Sequence, residues 1–214
     1  VNLVPLDDFL PLVLPFARGA SEPAAVREIR SAAIEFCKRT KVWRELLEPQ
    51  SIKAGSRDID LPLPDGSDLV ELAEVFYGRG NSGVIDPKSE DELRSMGITP
   101  ASTGTPQWFT FYGDLYVMRL APTPIVNESA ALTPRAILMP ARDAEEVPDA
   151  LFRRYGNEIA AGALQRLHSY DEKWVSADKR REYGLQFEGA MASVLHRVAK
   201  SNTRTKRRVT PSYF

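Results

Sequence analysis

Apolar residues recur at two different periods along this chain, and the change of period divides it. From Ser21 to Arg39 the residues Val26, Ile29, Ala33, Phe36 and Cys37 fall at helical spacing. Ser21 suits the cap of such a helix, Glu22 and Pro23 suit its first turn, and Lys38, Arg39 and Lys41 suit its negative end. The helical period returns after Pro148, where Leu151, Tyr155, Ile159, Ala163 and Leu167 share a face. On that helix Gly162 leaves room for the close approach of another backbone. Beyond "SYDEKW", Tyr183, Phe187, Ala190, Met191, Val194 and Val198 mark a final helix, with Ser176 as its cap. Tyr155 to Phe187 therefore reads as two amphipathic helices around a break at Trp174.

The middle of the chain has a different pattern. Residues 43–145 hold 10 of the 16 prolines and 8 of the 13 glycines, the punctuation of short strands and turns. Strands are expected at Trp43 to Leu47, Arg57 to Leu63 and Ala136 to Met139. Leu69 to Tyr77 suits a helix by propensity, but its bounding turns and its end in Val75, Phe76 and Tyr77 favour a strand. The clearest hairpin runs from Gln107 to Leu120 around Gly113 and Asp114. Pro64 to Ser67 and "GRGNSG" read as turns, the first with Gly66 free to take positive φ. Ser89 opens a short helix through Ser95, favoured by Glu90, Asp91 and Glu92 and stopped by Gly97. Leu6 to Arg18 is apolar, but Pro11 and Pro15 forbid a long helix, so it is expected as a strap lying on the core.

The expected fold is α+β: a small helical bundle of about three main helices, a β-rich insertion and an extended C-terminal arm. The bundle takes residues 1–42 and 146–202, the insertion 43–145, and the basic arm 203–214.

Composition narrows the class. A chain of 214 residues, 43% hydrophobic and 27% charged, reads as globular and soluble. The single cysteine, Cys37, excludes an intrachain disulfide framework and fits a reducing compartment. The apolar start is too short and too proline-broken for a membrane span and lacks a basic leader, so no targeting signal and no membrane partner are expected. The formal net charge of −1 hides an asymmetry. After Glu188 come Arg197, Lys200, Arg204, Lys206, Arg207 and Arg208 with no further acid, leaving 22 basic against 29 acidic residues elsewhere.

Little in the sequence suggests catalysis. His168 and His196 are the two imidazoles, both near predicted helix ends, with no His/Cys cluster at metal-ligand spacing. Cys37 sits on an apolar helical face, where a buried, inert thiol is expected. "GNSGV" at Gly80 to Val84 lacks the spacing and strand-to-helix setting of a nucleophile elbow. No glycine-rich loop is placed to cradle phosphates. Glu90, Asp91 and Glu92 are consecutive, so on a helix they point to different sides and read as a solvated helix start. No catalytic, cofactor-binding or metal-binding residue is therefore expected. The tail "TRTKRRVTPSYF" supports three readings: contact with nucleic-acid phosphates, docking on a neighbouring protein through its basic and aromatic residues, or plain disorder.

Two long segments carry a resemblance. "FLPLVLPFARGASEPAAVREIRSAAIEFCKRTKVWRE" and "VPDALFRRYGNEIAAGALQRLHSYDEKWVSADKRREYGLQFEGAM" resemble bacteriophage head–tail adaptor (connector) proteins over about residues 6–45 and 147–195. The resemblance implies a virion structural protein at the head–tail junction, assembled in the host bacterial cytoplasm. It implies a homo-oligomeric ring of twelve copies beneath the portal protein, with a tail or nozzle protein below. Phage DNA would pass through the lumen without sequence-specific binding. On this reading Arg204, Lys206, Arg207, Arg208, Tyr213 and Phe214 belong to a portal-docking arm. Gly162 and Ala163 are close-packing positions in the helical bundle, and Trp43 and Trp174 anchor helix ends. The alternative is a nucleic-acid-binding accessory protein acting through the basic tail.

Overall fold

A computed structural model describes residues 2–78, 83–170 and 172–201. The chain divides into two compact units, one formed by residues up to Val42 and from Arg142 onward, the other by Trp43–Ala141. The described residues of the first hold helices α1 (Leu10–Val13), α2 (Glu22–Thr40), α4 (Asp149–Leu167) and α5 (Ala177–Ser201), with the strand pair β1 (Leu3–Pro5) and β10 (Glu146–Pro148). The second holds β2 (Arg44–Leu46), β3 (Gln50–Ile52), β4 (Asp58–Asp60), β5 (Ser67–Tyr77), β6 (Gly83–Pro87), α3 (Glu90–Ser95), β7 (Trp108–Tyr112), β8 (Val117–Ala121) and β9 (Glu128–Pro140).

In the helical unit the apolar stripes read from the sequence meet. Ile29, Ala33, Phe36 and Cys37 of α2 are fully buried, as are Ile159, Ala163 and Leu167 of α4. Phe36 packs on Tyr155 at 5.1 Å between ring centroids and on Phe187 of α5 at 6.2 Å. Burying a ring such as Phe187 stabilises the fold by about 1.5–3 kcal/mol. The strap is a 3-10 turn, Leu6–Phe9, running into α1, with Leu6, Phe9, Val13 and Ala17 buried. Phe9 meets Phe152 edge-on at 4.9 Å. A charged lattice ties the long helices together: the Arg39 fork donates to both oxygens of Glu188 at 2.6 Å, and Glu35 accepts from Arg39 and Arg166. Such exposed pairs each contribute at most about 1 kcal/mol, so the apolar stripe carries the packing.

The β unit is one eight-stranded sheet in the order β2-β9-β5-β6-β7-β8-β4, with β3 also on β9. Its pairings are antiparallel except between β6 and β7. Two register shifts in β5, between Leu69 and Glu71 and between Leu72 and Glu74, insert extra residues opposite β9. Bulges of this kind bend a strand and increase its twist, and the sheet curls into a half-barrel. Ile52 of β3 and Ile59 of β4, from strands at opposite ends of the sheet, share one core with Val75, Phe109, Met118 and Leu132. The hydroxyl of Tyr116, just before β8, donates to Asp68 near the start of β5.

This arrangement corrects the expected fold class. The protein is mixed α/β, with five helices among its described residues and a large curled sheet, where a small three-helix bundle carrying a β-rich insertion was expected. The middle segment closes a hydrophobic core of its own and forms a compact unit. The main cause of the discrepancy is β9. It spans 13 residues where the pattern marked only Ala136 to Met139. Pro134 and Ala130, at φ 50°, hide its continuity. The carbonyl of Pro134 accepts from Leu47, so its missing N–H faces the same side, in the interval between β2 and β3. Two details also change. Leu115 and Tyr116 belong to the hairpin's turn, a 3-10 segment Gly113–Leu115 followed by Tyr116 at φ 50°, and β8 starts at Val117. The strands β1, β3, β6 and β10 were not anticipated.

Candidate functional site

The residues singled out from the sequence fall in different settings. Gly162 and Ala163 are buried on α4. A β-carbon at Gly162 would lie 2.8 Å from Cε2 of Phe187, so this glycine accommodates an aromatic ring, where a backbone approach was expected. Trp174 lies half-buried against Gly19, where a β-carbon would meet the indole at 1.9 Å. Trp43 is buried at the start of the β unit and donates from Nε1 to Glu45 at 3.1 Å. Arg204, Lys206, Arg207, Arg208, Tyr213 and Phe214 lie outside the described residues.

The densest polar cluster is one that reading the sequence missed. On β8, Met118 and Leu120 point into the core, so Arg119 stands on the opposite face of the sheet. The register pairs Arg119 with Asp58 of β4 on one side and Thr110 of β7 on the other. Arg119 forks onto Asp58, Nε to Oδ1 at 2.7 Å and Nη2 to Oδ2 at 3.1 Å. Its Nη1 donates to Glu90 and to the Tyr112 hydroxyl, each at 3.1 Å. The guanidinium also stands 4.9 Å above the Tyr112 ring, and Tyr112 donates to Glu90.

Glu90 reaches this cluster because α3 starts beside it. Ser89 caps α3 reciprocally with Glu92, its Oγ accepting from the Glu92 N–H while Glu92 accepts from the Ser89 N–H at 2.8 Å. That cap fixes the first turn, and Glu90 points to Tyr112 and Arg119. The acidic run read as a solvated helix start thus divides: Glu92 caps the helix, and Glu90 braces the sheet.

The electrostatics favour fixed charge over proton transfer. The Tyr112 hydroxyl, followed by Arg119, holds the Glu90 carboxyl below its usual range. Hydrogen bonding to Arg119 lowers Asp58 likewise. Burial, then Glu90, pushes the Tyr112 phenol up, and Asp58 raises Arg119. Every shift deepens the ionisation state that each group already has at neutral pH, so these groups are not poised as an acid–base pair. Among the described residues no group of three His, Cys, Asp or Glu side chains is placed to hold a metal ion. No described helix is long and apolar enough to cross a membrane.

The other notable polar group is His168. It is buried at the end of α4, stacked on Tyr183 at 5.9 Å and against Trp174 at 5.5 Å. Its Nδ1 accepts from the Ser176 N–H at 3.3 Å, and the ring also meets the backbone of Phe16. Burial, aided by the charge of Lys179, lowers its pKa and keeps it neutral, the state in which Nδ1 can accept. It joins the end of α4 to the start of α5 and is a structural imidazole.

Searches against models of known protein families and against curated proteins give no match for this chain.

Proposed function

We propose that the chain is a structural head–tail adaptor of a tailed bacteriophage, without catalytic activity. Copies form a ring of twelve beneath the portal, join the capsid to the tail, and leave a lumen through which DNA passes. The observation that carries this reading is where the resembling segments lie. Residues 6–45 and 147–195 are far apart in sequence, yet α2, α4 and α5, which they supply, pack into one unit. The resemblance therefore follows a folding unit and not scattered letters.

Surface features add support. Leu185 is 68% and Leu195 46% exposed on α5, and Leu115 is 71% exposed on the β7–β8 turn. Apolar side chains of this size, on units whose cores are already filled, suit contacts with neighbouring copies or with a tail protein. The basic segment 203–214 docks on the portal. Co-sedimentation of the chain with the portal of its own phage tests this. The full chain is expected to co-sediment, and a chain ending at residue 202 to keep its circular dichroism but lose portal binding. Absence of co-sedimentation would contradict the adaptor reading; unchanged binding after truncation would remove the arm from it.

The charge asymmetry favours one competing reading, a nucleic-acid accessory protein acting through the same tail. It requires duplex binding that weakens steeply with salt and disappears on truncation.

A further inference from the structure

We propose that the β unit carries a peptide-binding groove whose occupant is the basic segment 203–214 of this chain. The groove has a volume of about 400 Å³ and lies between Glu45, Leu46 and Glu48 on one side and Leu63, Pro64 and Asp65 on the other. Glu45 and Leu46 belong to β2, which ends the sheet on one side. The residues facing them belong to the segment that joins β4, at the other end of the sheet, to β5. A volume in the range of ligand pockets has room for a bulky peptide side chain.

The backbone along this groove is open. Among the described strands β2 pairs with β9 alone. The Trp43 carbonyl accepts from Leu138 and the Leu47 N–H donates to Pro134, both toward β9. Successive residues of an antiparallel ladder alternate, so the N–H and C=O of Leu46 face the other way, where no described strand pairs with them. An open edge of this kind takes up an extended segment through main-chain hydrogen bonds, and the pockets beside it select the side chains. The Leu46 side chain is 48% exposed in the same groove and supplies, with Leu63 and Pro64, its apolar surface.

Charge selects the occupant. The lining holds three carboxylates and no Lys, Arg or His. Glu45 accepts from the Trp43 indole, whereas the exposed carboxylates of Glu48 and Asp65 have no partner among the described residues. Three like charges beside apolar surface repel one another, and a cationic ligand relieves that repulsion. Segment 203–214 matches on both counts: Arg204, Lys206, Arg207 and Arg208 come without an acid, and Val209, Tyr213 and Phe214 follow. In extended form its twelve residues would span about 40 Å, ample for the groove. The groove and the portal then take the same segment in turn; only that consequence rests on the adaptor reading.

The test is fluorescence anisotropy of a labelled synthetic peptide, TRTKRRVTPSYF, titrated with the full chain and with a chain ending at residue 202, which keeps every described element. No portal is present, so the outcome is separate from that of the adaptor reading. Saturable binding is expected, tighter to the shortened chain because the full chain's own segment competes. Glu48→Lys combined with Asp65→Lys, both at exposed positions, is expected to weaken binding about tenfold. Asp91→Lys on α3, outside the groove, is expected to leave it unchanged. A peptide with serine at Val209, Tyr213 and Phe214 is expected to bind more weakly at the same charge. Absence of saturable binding to the shortened chain would overturn the proposal. So would an equal loss in Asp91→Lys, which would mean attraction to the overall charge only, or undiminished binding by the Glu48 and Asp65 variant.

Discussion

The backbone of Gly162 on α4 rests against the ring of Phe187 on α5, with no room between them for a β-carbon, which would stand 2.8 Å from Cε2. Phe187 is 1% exposed and cannot swing away, since Phe36 lies on it at 6.2 Å and the Arg166 guanidinium at 5.7 Å. Elsewhere in a helix, replacing glycine with alanine stabilises by about 1 kcal/mol. At Gly162 overpacking outweighs that gain, and Gly162→Ala is expected to destabilise by about 1–3 kcal/mol in urea unfolding. Gly189, on the same helix as Phe187, has open space at its β-carbon position, so Gly189→Ala is expected to stabilise. Equal effects at the two sites would refute the close-packing account.

Gly19 and Trp174 make the second close approach. Gly19→Ala places a β-carbon 1.9 Å from the indole and must displace it. Trp174 is expected to become more exposed, with a red-shifted tryptophan emission and lower stability. Comparison with Trp174→Phe, which should remove the shift, assigns the signal among the three tryptophans.

His168 predicts a pH dependence of stability. Its pKa in the folded chain lies below the ordinary 6.5, lowered by burial and Lys179. The unfolded chain therefore binds the proton more readily, and the stability due to the neutral imidazole is fully present above pH 6.5. It is lost as pH falls through the lowered folded value. The melting temperature is expected to decline below pH 6.5, and His168→Gln to flatten that decline. The same slope in the variant would place the acid sensitivity elsewhere.

Cys37 is fully buried on α2, and burial pushes its thiol up to about 12. Native protein is expected to react with a thiol-specific chromogenic disulfide only at the rate of unfolding, and denatured protein at once. A fast native reaction would contradict this packing.

Much of the helical unit could be read from local pattern. Ile29, Ala33, Phe36, Ile159, Ala163 and Leu167 recur at the helical period, and all six are buried. β5, the β7–β8 hairpin and the Ser89 cap of α3 were likewise legible, because alternation, turn residues and capping act over a few positions. What was not legible depends on partners distant in sequence. β9 is a strand despite Pro134 because its missing donor falls where β2 and β3 leave a gap. β1 is a strand because β10 pairs with it across more than a hundred residues. The cluster around Arg119 was hidden for the same reason. Asp58, Glu90 and Tyr112 are unremarkable until the register of β4 on β8 and the Ser89 cap bring them to one guanidinium.

Electron microscopy of the chain mixed with the portal of its own phage tests the proposed function most directly. The adaptor reading predicts a ring of density coaxial with the portal, on the face away from the capsid and with the portal's twelvefold repeat. Portal particles without an axial ring, at protein concentrations saturating for any measured binding, would contradict it.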